Sequence, residues 1–182
     1  RTSTLQPGLY VQSAGGAGLL AGLEPGDRIV RIDGTEVRAL EDKHRNLLVL
    51  CLRLEELATD LDAGEIPRGI QKVAKHIEPL VAAAHTLEEQ KFYPDLELHA
   101  GSCFGSLLLD QVKSEHRVDR RAARELSLTL AAVARKRCRL SLETVAHMVR
   151  GFQEAVRRHI TAEQMLLQQL LNVEPETQVF PT

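Results

Sequence analysis

From about residue 39 onward, apolar residues recur every three or four positions over four long segments. In the first segment, at about residues 39–61, the recurring residues are Leu47, Leu50, Leu54, Leu57 and Leu61. This spacing is typical of an amphipathic helix that buries one face. The other segments, at about 67–93, 102–137 and 141–171, have the same character and are joined by short loops. We therefore predict a mainly α chain built on an up-down-up-down four-helix bundle.

Local signals mark the helix ends. Gly64 follows the first segment, as a C-terminal glycine does, and Ser141 precedes the fourth, as an N-cap does. Pro67 lies near the start of the second segment, a position that tolerates proline. Pro79 lies inside the same segment, where proline removes a backbone hydrogen bond. We expect a kink or a break there.

The first 38 residues differ in composition from the rest. They hold seven of the 12 glycines and short runs rich in β-branched residues, which predicts strands and turns. Two prolines near the end of the chain indicate an irregular tail. We therefore predict a small β-containing segment at 1–38, the bundle at 39–171 and the tail at 172–182.

Charge and composition exclude several classes of function. Lys and Arg total 23 against 25 Asp and Glu, so the net charge of -2 provides no basic surface for nucleic acid. No apolar run approaches the roughly 20 residues of a spanning helix, and no signal peptide is visible. The cysteines, Cys51, Cys103 and Cys138, are far apart and odd in number, which favours free thiols in a reducing compartment. We expect a cytoplasmic protein without a membrane span.

Four histidines form a repeated pattern, with one on each predicted helix: His44, His85, His116 and His159. Glu89 follows His85 by four residues, and Glu163 follows His159 by four. Residues four apart share a helix face, whereas Glu88 is expected to lie one residue off that face. The pattern His…His-x-x-x-Glu thus occurs twice. Two such hairpins, related by approximate twofold symmetry, would pool four imidazoles and two carboxylates at the bundle centre.

Metal binding is the chemistry that this pattern favours. Nitrogen and oxygen ligands without thiolate suit iron or manganese, with zinc as a competitor. The alternative is that the His–Glu pairs are solvated surface couples. Apolar neighbours surround both His85 and His159, and burying uncompensated pairs would cost several kcal/mol. The remaining histidines, His76, His99 and His147, are predicted to lie at the surface or to support the ligands.

Residues from about 40 to 171 resemble a hemerythrin-like domain of the cation-binding HHE type. The matching motifs are Asp42-Lys43-His44, His85-Thr-Leu-Glu-Glu89 running into Phe92-Tyr93-Pro94, Glu115-His116-Arg117, and His159-Ile-Thr-Ala-Glu163. The resemblance implies two non-heme iron ions with an oxo or hydroxo bridge. The ligands that it implies are His44, His85, Glu89, His116, His159 and Glu163.

The chain differs from the oxygen carriers of that family at two positions. Arg120 stands four residues after His116, where the carriers have a histidine, and Gln164 stands where they have an aspartate. The chain therefore resembles a branch with four histidines and two glutamates. This resemblance implies binding or sensing of oxygen, nitric oxide or iron rather than reversible oxygen carriage.

Residues 8–37 resemble part of a PDZ domain. Gly8-Leu9-Tyr10-Val11 is similar to the strand that pairs with a bound peptide, and Ala21-Gly22-Leu23-Glu24-Pro25-Gly26-Asp27 is similar to the glycine turn that follows in bacterial members. The chain passes into the bundle where a PDZ domain would complete its peptide groove. The resemblance implies a structural or docking role toward a protein partner, with peptide capture as the alternative.

Three functions from different classes follow from these patterns. The first is a non-heme di-iron protein that binds or senses a small ligand such as O2, NO or iron itself. The second is a di-iron enzyme or iron-handling protein that reduces peroxide or nitric oxide, or donates iron. The third is a protein-interaction module. The sequence leaves open whether the protein is an enzyme, although binding or sensing is favoured.

Overall fold

A computed structural model describes residues 31–32, 35–94 and 103–171. Two short strands, β1 (Arg31–Ile32) and β2 (Thr35–Glu36), pair antiparallel. The helices are α1 (Val37–Asp62), α2 (Ile70–Leu87), α3 (Cys103–Ala134) and α4 (Leu142–Leu171). A π-helical turn, Glu88–Phe92, continues α2.

The four helices form a closed ring. Each helix packs against the helix before it and the helix after it, and α4 packs against α1. Because the connections between consecutive long helices are short, neighbouring helices run antiparallel. The predicted mainly α, up-down-up-down bundle is confirmed.

The predicted apolar stripes form the core. All five leucines of the α1 repeat are at most 3% exposed. Ile77 on α2, Leu130 on α3 and Val145 on α4 are completely buried against them. Val118 on α3 is 66% exposed and lies outside this core. The fold thus buries one largely apolar face of each helix.

The helix ends follow local chemistry. The Ser141 hydroxyl accepts a hydrogen bond from the backbone N–H of Thr144 at 3.1 Å, as an N-cap does. Gly64 after α1 and Gly69 before α2 have positive φ angles of 81° and 89°, which glycine adopts without steric cost. Helix α2 begins at Ile70, three residues after the predicted start at Pro67.

Helix α2 runs through Pro79 without a break, contrary to one of the two expected outcomes. The proline and Lys75, whose carbonyl would have received the missing hydrogen bond, are both exposed. The lost bond therefore lies on the solvated face of the helix, where water can replace it at the smallest cost.

The π-helical turn after α2 changes which residues face the core. The backbone N–H of Tyr93 bonds to the carbonyl of Glu88, five residues earlier, instead of to the residue four earlier. The wider turn rotates Tyr93 toward the face that Glu88 occupies. Phe92 and Tyr93 are accordingly both buried, at 1% and 2% exposure.

Most of the PDZ-like segment lies outside the described residues. Only the β1–β2 ladder, with Arg31 opposite Glu36, belongs to it. The structure therefore gives no support to a PDZ fold there. None of the helices in the described ranges is long and apolar enough to cross a membrane.

Candidate metal centre

The four predicted histidines meet inside the bundle, each from a different helix. His44, His85, His116 and His159 are between 0% and 6% exposed. The rings of His85 and His116 stack with centroids 3.8 Å apart, and the His159 ring centroid lies 5.2 Å and 4.9 Å from them. The four helices therefore each contribute one imidazole at the same height along the bundle.

Glu88 is the carboxylate that enters this group of histidines. Its side chain is completely buried, and its oxygens lie 3.2 Å from His116 Nε2, 3.6 Å from His44 Nε2 and 3.7 Å from His159 Nε2. The expectation that Glu88 lies off the face of His85 was wrong. Residues three and four positions apart both share a helix face, so the spacing alone did not separate Glu88 from Glu89.

Glu89 points to the edge of the site. Its side chain is 37% exposed, with Oε1 2.7 Å from His116 Nδ1 and Oε2 2.9 Å from an Arg120 nitrogen. The carboxylate therefore contacts the outer nitrogen of one histidine and a cation of α3. The predicted role of Glu89 as a metal ligand remains a prediction, because the structure does not place it among the gathered ligand atoms.

Glu163 lies beside His44. His44 Nε2 donates to Glu163 Oε2 at 2.8 Å, and the Tyr93 hydroxyl donates to Glu163 Oε1 at 2.5 Å. The same hydroxyl lies 2.9 Å from His116 Nε2. Tyr93 thus joins the two halves of the site, a role that the sequence did not indicate beyond its place in the aromatic-proline motif.

Two groups of ligand atoms result, and they share one residue. Within each group the ligand atoms all lie within 4.8 Å of one another. The first group is His85, Glu88, His116 and His159, and the second is His44, Glu88 and Glu163. All the residues in both groups are buried. The carboxylate of Glu88 therefore lies between the two groups.

Burial and charge act in opposite directions on the histidines. Burial lowers the pKa of His44, but its contacts with Glu163 and Glu88 outweigh burial and raise that pKa to about 9. Burial, reinforced by the nearby His116, lowers the pKa of His85 to about 3. One imidazole thus favours its charged form and another its neutral form, although they lie in one cluster.

The acidic groups are likewise split. Burial opposes ionisation of Glu88, but the surrounding imidazoles of His116, His159 and His44 hold its pKa below the usual range. Burial and the neighbouring carboxylate of Glu163 raise the pKa of Tyr93, so its hydroxyl keeps the proton that it donates. Burial also raises the pKa of Asp119, which lies 3.8 Å from His159 Nδ1.

The polar atoms of this interior fit a cation. Five buried atoms make no hydrogen bond within the described part of the chain: Nδ1 of His85, Nδ1 and Nε2 of His159, and both carboxylate oxygens of Glu88. Leaving a buried polar group unpaired costs about 1–3 kcal/mol. Neutral imidazole nitrogens and carboxylate oxygens are metal ligands, and ligation would satisfy atoms that the protein itself leaves unpaired.

Sequence reasoning missed four residues that line or support the site: Glu88, Tyr93, Asp119 and Arg120. Glu88 carried a usable signal, since it follows His85 by three residues. Asp119 follows His116 by three in the same way. The remaining histidines with described side chains, His76 and His147, are exposed, while His99 lies outside the described residues. The thiol of Cys51 is buried and that of Cys138 half-buried, and both are free.

Comparison with protein-family models matches residues 35–171 to the hemerythrin HHE cation binding domain. The match covers the two-residue strand β2 and all four helices. Searches of curated proteins and of solved structures found no match.

Proposed function

Because this chain belongs to the hemerythrin HHE cation-binding family, we propose that it is a non-heme di-iron protein that binds or senses a small ligand such as O2 or NO. The observation that carries the proposal is the buried carboxylate of Glu88, which belongs to both groups of ligand atoms. A residue with two oxygens at the junction of two ligand groups suits two ions per chain.

The proposed ligands follow from the two groups. His85, His116 and His159 would hold one ion and His44 with Glu163 the other, while Glu88 would contact both. The set contains only nitrogen and oxygen donors, which suit iron. Structural zinc sites, in contrast, are rich in thiolate. When bound, the iron pair supplies redox-active Lewis-acid centres with affinity for small diatomic ligands.

The chain's own residues prepare this site for cations. His44 carries a proton in the metal-free protein at neutral pH, because its pKa is about 9, and it must release that proton to offer Nε2. Tyr93 donates to one oxygen of Glu163 and leaves the other oxygen toward His44. Ion binding is therefore coupled to proton release and to the orientation of Glu163.

An apolar cluster covers the end of the bundle next to Tyr93. It consists of Leu40, Phe92, Leu109 and Val112 packed with Tyr93, and each is at most 3% exposed. Such a cover keeps bulk water away from the carboxylates, which strengthens their interaction with a cation. A small uncharged ligand crosses an apolar cover more readily than a charged one, which supports O2 or NO over an ionic substrate.

Metal analysis of protein purified without oxygen tests the proposal. We expect two iron ions per chain and an absorption spectrum that changes when air or NO is admitted, without turnover. Multiple turnovers with an electron donor and peroxide or NO would instead support the enzymatic alternative. A fully reconstituted protein with one ion would exclude the dinuclear site, and a folded protein that takes up no iron would favour the interaction module.

A further inference from the structure

Glu89 and Arg120 form a chain of contacts that ends on His116. Arg120 on α3 donates to Glu89 Oε2 at 2.9 Å, and His116 Nδ1 donates to Glu89 Oε1 at 2.7 Å. The two outer side chains are 37% and 40% exposed, whereas that of His116 is completely buried. These contacts therefore link the surface of the bundle to one imidazole of the candidate metal centre.

This contact determines which nitrogen of His116 faces the interior. A neutral imidazole has one N–H donor and one acceptor, and the hydrogen bond at one nitrogen decides which form is present. With Nδ1 held by Glu89, Nε2 points inward, where it lies 3.2 Å from Glu88 Oε2. In the other two histidines of that group, His85 Nδ1 and both nitrogens of His159 form no hydrogen bond within the described residues. The carboxylate of Asp119 lies 3.8 Å from His159 Nδ1, beyond hydrogen-bond distance.

Both oxygens of Glu89 already have partners outside the cluster of gathered ligand atoms. Oε1 meets the outer nitrogen of His116, and Oε2 meets the guanidinium of Arg120. To bind a metal ion, the carboxylate would have to give up both contacts, including a charge-assisted hydrogen bond. Glu88, one residue earlier, already occupies the inner position without a hydrogen bond from the described residues.

We infer that Glu89 and Arg120 are positioning residues: Glu89 orients His116 so that Nε2 faces the ions, and Arg120 holds Glu89 in place. The inference rests on the proposed metal-binding function. It differs from the ligand role that the sequence pattern predicts for Glu89. Loss of a partner that holds the outer nitrogen of a ligating histidine typically lowers metal affinity 10- to 100-fold. Because such a partner does not bind the metal itself, we expect the number of ions to stay the same.

Anaerobic titration of the full chain with ferrous iron distinguishes the two roles. For Glu89→Ala we expect two ions at saturation, as in the wild type, with a dissociation constant about 10- to 100-fold higher. Glu89→Gln should recover most of the affinity, because its amide oxygen can still accept from Nδ1. Arg120→Ala should weaken binding less than Glu89→Ala, because Glu89 can still reach His116 without its anchor.

Arg121→Ala is the matched control. Arg121 is the next residue on α3 and forms an exposed pair with Glu125 at 3.0 Å, and it belongs to neither ligand group. This variant should bind iron as the wild type does. If Arg121→Ala weakened iron binding as much as Arg120→Ala, the effect would come from the loss of a positive charge on α3 and not from the loss of the contact that holds Glu89.

Two results would overturn the inference while the proposed function stands. A Glu89→Ala protein that saturates at one ion would make Glu89 a ligand. A Glu89→Ala protein with wild-type affinity would reduce the contact to a surface pair. Nitrogen NMR of His116 in the metal-free protein provides a separate readout. We expect the Nδ1 proton to exchange slowly with solvent in the wild type and faster in Glu89→Ala. Fast exchange of this proton in the wild type would also overturn the inference.

Failure of the proposed function has a different signature. A wild-type chain that binds no iron at any concentration would refute the metal centre itself. The NMR measurement on His116 would then still decide whether Glu89 orients the ring.

Discussion

Replacement of Glu88 by glutamine tests the centre most directly. The side chain keeps its size, but the only residue common to both ligand groups loses its charge. Loss of a supporting residue alone weakens metal binding by about 10- to 100-fold. Loss of a direct ligand should exceed this range, so we expect a weakening of about 1,000-fold.

The expected change in stability follows from mass action. An ion present at about 1,000 times its dissociation constant stabilises the fold by about 4.1 kcal/mol. After a 1,000-fold loss of affinity, the same free iron concentration stabilises by only about 0.4 kcal/mol. The difference of about 3.7 kcal/mol corresponds to roughly 7–15 °C in melting temperature for a domain of this size.

The metal-free protein should respond much less to this change. Glu88 accepts no hydrogen bond from the described residues, and His44 keeps its 2.8 Å contact with Glu163. Removing the buried charge also removes its desolvation cost, but the lowered pKa of Glu88 means that its attraction to the imidazoles exceeds that cost. We therefore expect metal-free Glu88→Gln to melt below metal-free wild type, by less than the iron-induced shift of the wild type.

Thermal melts of metal-free and iron-loaded protein, followed by helical circular dichroism, provide the measurement. Glu154→Gln is the control, because Glu154 is an exposed glutamate of α4 that belongs to neither ligand group. It should keep the full iron-induced shift. Equal iron content and equal iron-induced shifts in Glu88→Gln and wild type would refute the assignment of Glu88 as the shared ligand.

Three further outcomes follow from the geometry. In the metal-free protein, urea unfolding should show maximal stability near pH 6.5. The raised pKa of His44 contributes stability that is lost as pH rises from 6.5 through about 9, and the lowered pKa of His85 contributes stability that is lost as pH falls below 6.5 toward about 3; a flat profile between pH 5 and 9 would contradict both shifts. Tyr93→Phe should lower the unfolding free energy of the metal-free protein by about 1–3 kcal/mol, because it leaves a buried oxygen of Glu163 without its donor, while iron analysis still finds two ions. Ser141→Ala should cost about 1 kcal/mol in a denaturant titration through loss of the α4 N-cap, with iron affinity unchanged.

Local patterns in the sequence were sufficient to predict the four helices and the meeting of the four histidines. The repeat from Leu47 to Leu61 defines the buried face of α1, and the core lies on that face. The histidines have similar spacing in each helical hairpin. Antiparallel packing is therefore enough to bring them to the same height in the bundle. Such features depend on helix periodicity and on short connections, and both can be read from neighbouring residues.

The choice between Glu88 and Glu89 depended on the tertiary structure. Both residues lie within one turn of His85, so periodicity alone permits either to face inward. Arg120, on a different helix, pairs with the outer carboxylate, and the histidines of three other helices surround the inner one. The π-helical turn that follows then brings Tyr93 to Glu163. These outcomes depend on charges and hydrogen bonds supplied by residues distant in sequence, which local spacing does not encode.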